Sequence, residues 1–225
     1  MIPLWLHWLS ILSLLLAAVC AVLIALDLRR HPQKMWIMGL VWPLVALFGS
    51  LAALIAYRRV GRAEDSSFAA SVGTGAAHCG AGCTLGDIIA EWLVIAVPGV
   101  AVWFGYGSLF RHEIFAVWIL DYILAFGIGV VFQYFAIAPM RGLGLRAGLV
   151  QAVKADALSL TSWQVGMYGF MAVAHFWLFG HVLGVTLEPA SVEFWFMMQI
   201  AMLCGFTTAY PVNWWLIRRG IKERM

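Results

Sequence analysis

Cys79 and Cys83 stand four residues apart, with His78 beside the first and Asp87 and Glu91 following at the same interval. On a helix that interval returns to one face, drifting about 40° per step. Two thiolates and an imidazole form a soft ligand set suited to Cu(I) or Zn(II). Gly80 and Gly82 would let the backbone bend until both sulfurs face one centre, and the same glycines serve equally for tight packing or a disulfide. The spacing is not that of zinc ribbons or thioredoxins. Capture of a soft cation and dithiol–disulfide cycling therefore both stay open.

Further groups with chemical potential lie inside apolar runs: Asp121, Gln133 and His175. Ionisable groups at membrane depth are costly and usually face a bundle interior with a partner. Counting ~1.5 Å per residue across a core of ~30 Å puts Glu91 and Gln133 at one level, about 9 Å from the cytoplasmic side. Asp121 and His175 come out near one another at about 20 Å and about 18 Å. The expected polar pairs are Glu91 with Gln133 and Asp121 with His175. Met167 and Met171 precede His175 at intervals of four, and Met198 and Met202 repeat that spacing on the next segment. Thioethers in such stripes could relay a soft cation, although packing alone accounts for most Met stripes in membrane helices.

The elements that must hold these residues follow from composition. Of 225 residues, 64% are apolar and only 11% charged, with a mean hydropathy of +0.91. A soluble domain carries about 25% charged residues, so lipid is the solvent that fits. Six apolar segments can be drawn, at 4–26, 36–57, 85–109, 114–138, 163–187 and 192–217. Runs of this length in hydrocarbon are helices rather than barrel strands. The expected fold is an all-α integral membrane bundle of about six spans in one domain. The first run has no basic residues before it and is too long for a signal-peptide core, so it is read as a retained span.

Lys and Arg in the loops set orientation. With six spans both termini share a side; that side collects ten basic residues against four, so both termini are expected to be cytoplasmic. The Arg29–Arg30 pair dissents. Between the fourth and fifth spans, Leu145, Leu149, Ala152 and Val153 fall on one face, as in an interfacial helix. Pro43, Pro98 and Pro211 are candidate kink positions. Trp and Tyr gather at segment ends as interfacial anchors. The basic residues sit in short loops, which does not suggest nucleic-acid binding.

Several stretches, HCGAGCTLGDIIAEW at 78–92, FQYFAIAPMRGLGLRAG at 132–148, KADALSLTSWQVGMYGF at 154–170 and YPVNWWLIRRGIKERM at 210–225, together resemble a bacterial family of polytopic membrane proteins known only as a domain of unknown function. The resemblance covers about residues 78–225. It implies one structural unit in a bacterial inner membrane and carries no catalytic role.

The leading expectation is a small membrane transporter or binding protein for a soft metal ion, most plausibly copper, with zinc as the other candidate. His78, Cys79 and Cys83 would form its cytoplasmic mouth, with Asp87, Glu91, Asp121, Gln133 and His175 along the path. Affinity would fall at low pH, because thiolate and imidazole must lose protons to bind. One alternative is a redox protein using the Cys79/Cys83 dithiol, or a non-covalent haem held by His7 with His175 or His181. Another is a non-catalytic subunit or assembly factor. Expected partners are the lipid bilayer and a metal chaperone or a second copy of the chain. No ATP-binding loop, serine nucleophile elbow or zinc-protease signature is present.

Overall fold

The computed structural model of the chain describes residues 1–33, 35–63 and 67–224. Among these there are seven α-helices and no strand. They are α1 (Leu4–Leu28), α2 (Met38–Ala56, drawn on as a π-helical turn Tyr57–Gly61), α3 (Phe68–Ala96), a short α4 (Gly99–Trp103), α5 (Glu113–Arg141), α6 (Leu145–Ala172, drawn on as a π-helix Val173–Leu183) and α7 (Val192–Arg218). Six segments are long and apolar enough to cross a membrane, and the all-α membrane bundle expected from composition is the fold observed.

Three boundaries moved. The third span, expected at 85–109, runs Phe68–Ala96, capped by Ser67 Oγ accepting from the Ala70 amide at 3.2 Å. Its first half is rich in Gly, Ala, Ser and Thr, because that half packs against protein instead of lipid. The chain breaks at Val97, beside Pro98, as a proline there requires. The stretch expected as an interfacial helix is helical, and it forms the opening turns of the continuous segment Leu145–Leu183.

Helix order comes from a few close contacts. A Cβ added at Gly82 would stand 3.0 Å from Gly129 Cα, and one at Gly86 would stand 2.6 Å from Ala125 N. The α3 and α5 backbones therefore touch in antiparallel register, which small residues permit. Trp118 stacks on Tyr168 with ring centres 4.7 Å apart, and Tyr122 bonds Thr161 at 2.8 Å, setting α6 antiparallel to α5. Thr208 Oγ1 donates to Ser162 O at 2.7 Å, setting α7 antiparallel to α6.

The second apolar segment does not run straight. Ser50 takes φ 44° and ψ −125°, the one non-glycine residue with positive φ among those described. Beyond it the chain doubles back: the Trp42 and Tyr57 rings, fifteen positions apart, meet with centroids 5.6 Å from each other. A straight helix would hold them about 22 Å apart. Each arm, 38–49 and 51–61, is at most about 18 Å long, short of a hydrocarbon core of ~30 Å. The arms form a re-entrant hairpin. The kink expected near Pro43 falls at Ser50 instead. It frees the Leu47 carbonyl, and the Gln199 side-chain amide donates to that oxygen at 2.7 Å, while Gln199 Oε1 accepts from Ser13 Oγ at 2.7 Å. A buried orphan carbonyl is thereby satisfied, as an apolar surrounding demands.

Both hairpin arms open where α1 ends, with Tyr57 Oη donating to Asp27 Oδ2 at 2.7 Å. The start of α1 lies at the other end of the bundle. His7 sits 2.6 Å from Glu193, and the Met1 amine 3.5 Å from Leu183 O. Helices α1 and α7 thus run parallel, so the start of α1 and the end of α7 lie at opposite ends of the bundle. The expectation that both termini share a side assumed a straight second span.

Candidate functional site

The interval-of-four stripe on α3 faces inward over its whole length: Cys79, Cys83, Asp87 and Glu91 are all buried, as is His78. With the helix beginning at Phe68, Cys79 lies about 16 Å along it. The pair expected at a mouth is inside the bundle.

Cys79 points toward α6. Its thiol donates to Asp156 Oδ1 at 2.7 Å, and Ser159 Oγ stands 3.0 Å away. Asn213 Nδ2, from α7, donates to Ser159 Oγ at 2.6 Å. The fourth member comes from the tail. After α7 the chain turns at Gly220 (φ 68°), a left-handed position that glycine adopts freely, and Lys222 returns between α3 and α6. Lys222 Nζ donates to Cys79 Sγ at 3.0 Å and Gly75 O at 3.2 Å, and lies 3.6 Å from Asp156 Oδ1. Burial works against the ammonium, but Cys79 and Asp156 outweigh it and raise the Lys222 pKa above the usual lysine value. Arg141 and Glu223 pair beside it.

His78, one residue earlier and so about 100° around the helix, turns toward α5, its ring 6.1 Å from that of Phe132. Imidazole and thiol therefore diverge. Among the described residues no three His, Cys, Asp or Glu converge as a cation would require. Cys79 and Cys83 are free thiols.

Toward the other end lie the carboxyls. The register Gly82–Gly129 and Gly86–Ala125 continues to Ala90 opposite Asp121, which brings Asp121 beside Asp87 and Glu91. Neither carboxyl oxygen of Asp87 or of Asp121 has a hydrogen-bond partner among the described residues, and the Gln164 amide, from α6, is equally unpaired. The same register puts Gln133 level with His78, about 20 Å from Glu91, so the expected Glu91–Gln133 pair does not form. Asp121 is likewise separate from His175. That histidine lies in the π-helical part of the α6 segment and lines an open cleft of about 420 Å³ with Glu91, Glu113, His112, Arg111 and Glu188. His7, at the start of α1, has its Nδ1 2.6 Å from Glu193 Oε1.

Met167 and Met171 are core residues. Met198 and Met202 line a second cavity, of about 310 Å³, between the hairpin tip, α1, α3 and α7, with Asp87 in its wall. Asp156, Ser159, Asn213 and Lys222 are not among the residues that spacing alone singles out. A signal existed in Asp156 and Ser159, which are three apart and so share a helix face.

These features define a class: a polytopic α-helical membrane protein with a column of buried polar groups, from Lys222 at one end to Glu91 in a cleft at the other. Residues 70–222 match the family described as "Domain of unknown function (DUF4396)", and the chain belongs to that family. No curated protein and no solved structure matches the chain.

Proposed function

We propose that the chain is a small membrane transporter whose working groups are the buried carboxyls Asp87, Glu91 and Asp121, which take up and release protons as cargo passes. The observation that carries this reading is that Asp87 and Asp121, on facing helices, keep their carboxyls unpaired inside the bundle, one helical turn from Glu91 in the cleft. An isolated carboxylate in hydrocarbon is far more costly than the acid, so a group placed there exchanges its charge for a proton or a counter-cation. Intramembrane acids with that property mark ion and proton pathways. A broken segment whose tip reaches into the bundle beside such acids is the arrangement of many transporter sites. The Cys79–Asp156–Lys222 cluster is the closed end of the path.

Sidedness follows from charge. The segments reaching the end where α1 and α7 finish hold Arg29, Arg30, Arg58, Arg59 and Arg62, then Arg141, Arg146 and Lys154, then Arg218, Arg219, Lys222 and Arg224. Among the described residues, Arg111 alone of the Lys and Arg falls at the other end. By the positive-inside rule the basic end faces the cytoplasm, the C-terminus with it, and the cleft and N-terminus face outward. Arg29–Arg30 no longer dissents, because the hairpin returns the chain to the side it left. The family resemblance points to a bacterial inner membrane.

A soft metal ion as cargo is disfavoured by the Lys222 ammonium 3.0 Å from the Cys79 sulfur, since an arriving cation meets its own sign of charge. Copper or zinc retained by the purified protein, and lost in Cys79→Ser/Cys83→Ser, would reinstate it.

Liposomes loaded with a pH-sensitive dye test the main reading. After an imposed pH step with the potential clamped, wild-type vesicles should equilibrate faster than empty vesicles and faster than those carrying Asp121→Asn. Wild-type flux no faster than that of empty vesicles would end the proposal.

A further inference from the structure

Among the described residues, the cavity at the hairpin tip has one titratable group in its wall, Asp87, and no Lys or Arg. Asp87 is 1% exposed and both its oxygens are unpaired. The other polar groups there are already engaged: Thr84 Oγ1 donates to Gly80 O at 2.8 Å, and Gln199 bonds Leu47 and Ser13. What remains is apolar and polarizable: Phe48, Met198, Met202, and Trp92 stacked on Trp195 with centroids 6.4 Å apart and planes 12° from parallel. Trp92 is half exposed, and this cavity shares no lining residue with the polar cleft around His175.

An apolar chamber with one unpaired acid and a pair of indole faces selects for a particular chemistry. A metal ion would find too few oxygen or sulfur donors, and an anion would be repelled. A neutral hydrocarbon would leave the acid unanswered. We propose that this cavity binds a small lipophilic organic cation, its apolar body against Phe48, Met198 and Met202 and its charge between the Asp87 carboxylate and the Trp92–Trp195 faces. Rings of this kind attract cations through their quadrupoles, more strongly when desolvated. The volume is at the lower bound for small-molecule sites, which favours a one- or two-ring monocation. On binding, the Asp87 carboxyl gives its proton to water, and the carboxylate left behind pairs with the organic cation; charge in the cavity stays balanced. This rests on the transporter reading and names its substrate class.

The probe is 1-methyl-4-phenylpyridinium, with neutral 4-methylbiphenyl as its uncharged counterpart, titrated into detergent-solubilised full-length protein in weakly buffered solution. The expected result is saturable binding of the cation with release of about one proton per cation bound. Asp87→Asn should weaken that binding about thirtyfold or more, as loss of one partner of a buried charge pair does. Asp87→Glu should retain proton-coupled binding, and 4-methylbiphenyl should release no proton. Absence of saturable cation binding to the wild type, or binding without proton release, would overturn the proposal whether or not the variants fold. Should dye-loaded liposomes still show Asp121-dependent proton flux in that case, the transporter reading survives and only the substrate class is lost.

Discussion

Lys222 Nζ lies 3.0 Å from Cys79 Sγ, joining the last residues of the chain to the middle of α3. The lysine side chain is wholly buried, and so is the Asp156 carboxylate beside it. A tail that sequence alone would leave in solvent is thus part of the bundle interior.

The contact sets the first prediction. Removing one member of a buried ion pair strands the other and costs about 3–5 kcal/mol. Lys222→Met and Asp156→Asn should each lower the melting temperature in detergent by that measure. The double variant Lys222→Met/Asp156→Leu should recover most of the loss, since an apolar pair of similar volume can replace a buried ion pair. The Lys222 pKa is raised above 10.5, so its contribution is complete below that pH and is lost as pH climbs through the higher folded value. Stability of the wild type minus that of the double variant should stay level from neutral pH to about 10 and fall beyond it. A difference that stays level through the alkaline range would contradict the assignment.

Sidedness gives the second. Arg30→Cys, Arg219→Cys and Ser108→Cys occupy exposed positions. In intact inverted and right-side-out vesicles, a membrane-impermeant maleimide should label the first two from one face and Ser108→Cys from the other. Labelling of Arg30→Cys and Ser108→Cys from the same face would mean that the second segment crosses fully.

The third concerns Ser50. A non-glycine residue at φ 44° carries strain of about 1–3 kcal/mol. Ser50→Gly should raise thermal stability, and Ser50→Ile should lower it. Gln199→Leu, which uncaps the Leu47 carbonyl, should cost about 1–3 kcal/mol. Circular-dichroism melts in a single detergent compare all three.

The fourth tests the α3–α5 contact. A Cβ at Gly86 would meet Ala125 N at 2.6 Å, and that neighbour is backbone that cannot step aside. Gly86→Ala should destabilise by about 1–3 kcal/mol, as overpacking does. Gly127→Ala, which meets nothing within 4 Å on the same helix pair, should be close to neutral.

How much of this was legible in the residues follows from what each signal measures. Hydropathy reports contact with lipid, so α1, with its run of exposed leucines, was placed almost to the residue. The same signal failed on the first half of α3, where Ala76, Cys79 and Ala81 are buried against other helices and low hydropathy resembled a loop. The interval of four was read correctly as one inward stripe. Its partners could not be read, because Asp156, Asn213 and Lys222 are joined to Cys79 only through three helices and a turn at Gly220. Depth counting paired Asp121 with His175 because it assumed straight helices of standard rise; the π-helical stretch Val173–Leu183 and the early start of α3 both shift that ladder. Nothing in composition distinguished a re-entrant hairpin from a span, since residues 36–57 are apolar throughout. The Arg29–Arg30 pair, on the wrong side of a six-span count, was the sequence's own sign of it.

The family match begins at residue 70, so the acid and the room it looks into come from different stretches of chain. Asp87 belongs to the shared unit, whereas Leu14, Ala17, Leu47 and Phe48, which wall the room on one side, precede it. Grafting another N-terminal third onto residues 68–225 would keep the buried acid and redraw the shape of the room beside it. The room can therefore be reshaped from outside the shared unit while the acid stays in place.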